Sequence, residues 1–212
     1  MLTKWLTKHL IKNSDQVQDE TVRERYIYVA GMVGVVANVL LFIIKFIVGM
    51  LAGSIAVMAD AFNNFSDMAS SVITMVGVKL ANRPADKEHP HGHGRIEYIS
   101  ALIVAFMVML VGVQFIQSSI NRILNPSEIK FEWISFILLA VSVLVKLWLS
   151  RFNKQMGETI HSTALKAASV DALGDVFTSS TVLVSFLAAK FTSIPIDGYA
   201  GIIVSVAILY AG

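Results

Sequence analysis

The sequence predicts an all-α membrane protein, a bundle of six transmembrane helices with both termini in the cytoplasm. Three observations carry that prediction. The 212 residues are 55% hydrophobic and only 15% charged, with a mean hydropathy of +0.67, a balance too apolar for a soluble domain of this length. Six segments supply the ~20 predominantly apolar residues that a helical span needs. Pro84, Pro90, Pro126 and Pro195 all fall between those segments, where helix breakers belong. The chain has no cysteine, which excludes disulfides, thiolate metal ligands and cysteine nucleophiles.

Residues 1–27 read as a cytoplasmic N-terminal segment and residues 28–212 as the six-helix transmembrane domain. Met1–Lys12 is amphipathic, with Leu2, Trp5, Leu6 and Leu10 opposite Lys4, Lys8 and Lys12. It reads as a helix lying on an anionic membrane surface, with a solvated leader as the equal alternative. The first span is Tyr28–Ala52, and only Gly53-Ser54 separates it from the second, Ile55–Ala81. The third is Ile96–Ile123, the fourth Trp133–Leu149, the fifth Ile160–Ala189, and the sixth runs from Ile196 to the end.

Basic residues set the orientation. With the N-terminus inside, the inner segments hold Lys4, Lys8, Lys12, Arg23, Arg25, Lys79, Arg83, Lys87, Arg95, Arg151, Lys154 and Lys166. The outer loops hold only Arg122, Lys130 and Lys190. Lys45 and Lys146 lie within a few turns of span ends, so snorkelling to the interface is the expected reading, ahead of a role as counter-ions. The chain stops at Tyr210-Ala211-Gly212 without a basic stop, which suggests that a cytoplasmic domain is missing.

Chemistry concentrates in two spans. Asp60, Asn63, Asn64 and Asp67 share one face of the second helix. An acidic residue at membrane depth costs about 2.5–3.5 kcal/mol on insertion scales, so the face needs a cation or a proton. The fifth span repeats the pattern: Asn63-x-x-x-Asp67-x-x-Ser70-Ser71 is echoed by Asp171-x-x-x-Asp175-x-x-Thr178-Ser179. Facing each other, Asn63, Asp67, Asp171 and Asp175 would form a cage of oxygen ligands. Buried polar glue between helices is the bland alternative, yet three converging carboxylates would still require cations or protons. Carboxylate and amide oxygens suit hard cations, and with no imidazole in the cage Mn²⁺ or Fe²⁺ fits better than Zn²⁺. Asp60, one turn further out, either extends the ion path or caps the second helix, and the structural role is favoured. In the connection after the second span, Asp86, Glu88, His89, His91 and His93 lie close together among Pro and Gly, a pattern with transition-metal character or simply a solvated turn. His161 reads as an interfacial residue and His9 as part of the leader.

The run Gly53-Ser-Ile-Ala-x-x-Ala-Asp60-Ala-x-Asn63-Asn64-x-Ser-Asp67, followed by Pro84-Ala-Asp86, His89-x-x-Gly-His93-Gly and Asp171-x-x-x-Asp175, resembles the cation diffusion facilitator family of divalent-metal/proton antiporters. The resemblance covers nearly the whole chain. It implies a cell-membrane homodimer that exports a divalent cation, with a mid-membrane site at Asn63, Asp67, Asp171 and Asp175. A second, loop site would map to Asp86, His89 and His93. Zinc-transporting members usually carry His at the position of Asp171, so this chain looks like the manganese-type branch. Family members usually continue into a cytoplasmic metal-binding domain, absent from these residues.

The expected function is therefore export of Mn²⁺ (or Fe²⁺) in exchange for protons by alternating access. No catalytic residue, resident cofactor or nucleic-acid partner is expected. A Zn²⁺-selective antiporter of the same family is the nearest alternative, and a passive channel or magnesium transporter is another. An intramembrane aspartic protease also needs two membrane aspartates on different helices, but it does not explain paired ligands at i and i+4.

Overall fold

The computed structural model describes residue 11 and residues 19–81, 94–192 and 194–211. The described residues form six helices: α1 Glu20–Ala52, α2 Ile55–Ala81, α3 Gly94–Leu124, α4 Trp133–Thr159, α5 Thr163–Ala188 and α6 Ile196–Ala211. Each expected span has its helix, and no strand occurs among the described residues. Four of them hold stretches long and apolar enough to cross a membrane: α1, residues Ala105–Leu124 of α3, α4 and α5. The apolar α6 is shorter, at 16 residues, or about 24 Å at 1.5 Å per residue. The polar face of α2 is sheltered because α2 packs against α1, α3, α5 and α6 at once. Around it, α1 also packs on α4, α4 on α5, α5 on α6 and α6 on α3.

Local chemistry explains the ends. α1 starts at Glu20 rather than Tyr28, since the Asp19 carboxylate accepts from the Thr21 backbone N–H and hydroxyl, both at 2.8 Å. Those bonds hold the Asp19 carboxyl below its ordinary range. α1 ends at Gly53, whose φ of 67° is a left-handed cap that a side chain resists. α4 continues past Leu149 to Thr159, because the polar run Arg151–Lys154 ends the apolar stretch without breaking the helix. Where α6 meets α3, a Cβ at Gly198 would lie 2.6 Å from the Ile123 side chain, so only glycine permits that approach.

Among the described residues, two cores hold the bundle. One includes Val57, Val182, Phe186, Val204 and Ile208. The other, at the end where α4 turns into α5, joins Ile11, Val22, Tyr26, Phe152, Met156 and Leu165. Outward faces carry large exposed apolar side chains such as Leu102, Ile134 and Phe177, as lipid-facing surfaces do. The amphipathic reading of Met1–Lys12 lies outside the described residues, apart from Ile11.

Candidate metal site

α2 and α5 bring the four expected cage residues together. One carboxylate oxygen from each of Asp67, Asp171 and Asp175 lies within 4.8 Å of the others. Asn63 donates its side-chain N–H to Asp175 Oδ1 at 2.7 Å. An ionised aspartate oxygen only accepts, so the amide nitrogen makes that bond, and the Asn63 carbonyl oxygen is the atom that could ligate a cation. Asp175 and Asn63 are buried, while Asp171 is the exposed member of the group. The hydroxyls noted one turn on have separate roles: Thr178 donates to the Asp175 carbonyl at 3.1 Å, and Ser70 and Ser71 line the cavity beside the carboxylates.

Both membrane lysines correct the snorkelling expectation. Lys146 is 1% exposed, and its Nζ lies 2.8 Å from Asp67 Oδ2 and 2.5 Å from Asp175 Oδ2. It sits midway along α4, because that helix runs ten residues beyond the expected span end. Lys45 is fully buried and pairs with Asp60 Oδ2 at 2.7 Å. Ser179 links the two, accepting from Lys45 and donating to Asp60, each at 2.9 Å. Desolvating an ammonium is tolerable only against a carboxylate in such geometry, and these lysines had acids within reach.

Asp60 does not cap α2, contrary to the favoured expectation; it pairs instead with Lys45 and Ser179. The start of α2 is capped by Ser54, which accepts from Val57 N–H at 3.2 Å, and by Asp197 of α6. Asp197 accepts from the Ser54 hydroxyl and from the backbone N–H of Ile55 (2.9 Å) and Ala56 (3.4 Å). Arg122 closes the same corner by donating to the Gly53 carbonyl at 2.7 Å.

A cavity of about 340 Å³ reaches the carboxylates, lined by α1, α2, α4 and α5. Its lining runs from Asp67, Lys146 and Asp175 toward the bundle end where α4 turns into α5, past Ser71, Asn153 and Leu165. Toward the opposite end stands the buried Lys45, Asp60 and Ser179 cluster. Among the described residues, this cavity approaches the cage from the end where α4 turns into α5.

Sequence reasoning missed Asn38 and Asn153, which line this cavity. A lone amide in an apolar helix was the available signal. The Asp86, His89 and His93 site lies outside the described residues. His161 occupies the α4–α5 turn with a φ of 53°, a turn position where histidine is tolerated.

An all-helical bundle with converging carboxylates on two helices, reached by a cavity, is an architecture that suits a cation transporter. The cation efflux transmembrane domain matches residues 31–212, and the chain belongs to that family. It is 34% identical over 161 residues to the manganese efflux system protein MneS of Bacillus subtilis, covering 76% of this chain and 56% of that protein. It is 28% identical over 168 residues to MneP, another manganese efflux system protein of B. subtilis, covering 79% and 56%. The magnetosome protein MamB of Paramagnetospirillum magneticum is 28% identical over 154 residues, covering 72% and 52%. The chain thus spans a little over half the length of these relatives. The protease reading finds no support: an ammonium separates Asp67 from Asp175, where an aspartic dyad shares a proton.

Proposed function

We propose that this chain is the membrane part of a divalent-cation exporter that carries Mn²⁺, with Fe²⁺ next in preference, in exchange for protons. The observation that carries this reading is the convergence of Asp67, Asp171 and Asp175 at the head of a cavity, with Asn63 bonded to Asp175. An all-oxygen set without imidazole suits a hard cation, and the names of MneS and MneP support manganese. A Zn²⁺-selective exporter is the second reading, since Asp171 alone separates the fifth-helix motif from the zinc-type pattern.

In this mechanism the N-terminus is cytoplasmic, so the cavity faces inward. The ion enters past Ser71 and Asn153 and meets the deprotonated carboxylates. Rocking of the helices opens the Lys45, Asp60 and Ser179 side and closes the other. Protons then compete for the carboxylates, release the metal and return inward with the next half-cycle. The protein works in the cell membrane as a homodimer. Asp86, His89 and His93 supply the second, loop site.

Purified protein in proteoliposomes tests this. A Mn²⁺ gradient should drive proton flux that vanishes in Asp175→Ala, and unchanged flux in that variant sinks the reading. Asn63→His should shift binding from Mn²⁺ toward Zn²⁺ in calorimetry. A wild-type preference for Zn²⁺ would move the assignment to the second reading.

A further inference from the structure

We propose that Lys146 is a tethered counter-ion that holds the cation position between Asp67 and Asp175 and yields it to the incoming metal. The inference rests on the cage being the transport site. Its Nζ bridges one oxygen of each carboxylate at 2.8 and 2.5 Å, which is where a bridging divalent ion would also sit. An ammonium and a metal ion cannot share that point, so binding the metal requires the lysine head to move. The flexible four-carbon stem makes that movement easy.

Charge and burial give the lysine its purpose. Three carboxylates clustered on two helices repel one another at membrane depth. When all three carboxylates are ionised, Lys146 among them leaves two net negative charges, which one divalent ion neutralises. A monovalent ion leaves the site charged, and a trivalent ion overfills it. The lysine thus keeps the ion-free cage assembled and matches its charge to a divalent substrate.

The same cavity offers a resting place for the displaced head. Asn38 is 6% exposed, lines the cavity with Lys146, and its Oδ1 has no hydrogen-bond partner. A buried carbonyl oxygen without a donor is costly. An ammonium arriving from Lys146 would satisfy it in the metal-bound state.

Mn²⁺ binding to the purified chain in nanodiscs, read by the loss of the free-ion paramagnetic resonance signal, tests the inference without measuring transport. Asp171→Asn, which leaves both Lys146 contacts intact, should abolish tight binding. Unchanged affinity there would overturn the cage itself, and this inference with it. Given that loss, Lys146→Met should tighten binding about tenfold or more, because a positive competitor is gone. Lys146→Arg should weaken it by a similar factor, since a guanidinium grips both carboxylates and does not yield. Equal affinity in Lys146→Arg and wild type would overturn the inference, and it decides the matter even if Lys146→Met fails to fold. Asn38→Leu should weaken binding about fivefold or more by removing the resting place, and an unchanged constant overturns that part.

Discussion

Lys45 and Asp60 show how two residues that are each expensive in a membrane become acceptable as a pair. Both are buried, in contact at 2.7 Å, and tied to Ser179. Removing one partner leaves an uncompensated charge, a loss of about 3–5 kcal/mol, whereas replacing both with apolar residues is often neutral. Lys45→Met and Asp60→Leu singly should therefore each lower the melting temperature strongly in detergent, and the double variant should recover most of it. Additive losses in the double variant would show that the pair does not act as a unit. The acids were legible in the sequence because a carboxylate in an apolar run has no cheap explanation. The lysines were not, because a long stem near an assumed span end offers one. For Lys146 that assumption failed when α4 proved to extend to Thr159.

At the scale of the element, α2 is the helix the bundle is built around, and its start is held by a residue remote in sequence. Asp197 caps the Ile55 and Ala56 N–H groups and receives the Ser54 hydroxyl. Replacing a capping acceptor costs about 1–2 kcal/mol. Asp197→Ala should lower stability by that amount, measured by denaturation in micelles, and leave Mn²⁺ affinity unchanged because the cage lies further along α2. Spans were readable from apolar runs, since a bilayer demands them. Caps were not, because a cap from another helix depends on which helices become neighbours. The Asp19 cap of α1 is different, a local contact with Thr21 that extends the helix beyond the apolar run.

For the whole molecule, the end from which the cage is reached is the property that matters to transport. The chain has no native cysteine, so single introduced thiols report access without background. Ser71→Cys, beside the cage, should react with a membrane-impermeant reagent only from the cytoplasmic side. Glu128→Cys, exposed in the α3–α4 connection, should react only from the outside. Reaction of both from the same side would refute the proposed topology, and Mn²⁺ should protect Ser71→Cys.

Composition, apolar runs and the matched motifs on the second and fifth spans were enough to determine a membrane bundle and to single out four residues, Asn63, Asp67, Asp171 and Asp175, that the fold brings together. Those features are local, and the bilayer penalises any other reading of them. Only the tertiary structure decided that Lys146 stands among the carboxylates, that Lys45 answers Asp60, and that Asp197 rather than Asp60 caps α2. Each of these is a pairing between helices distant in sequence, and such pairings exist only once packing has chosen the neighbours.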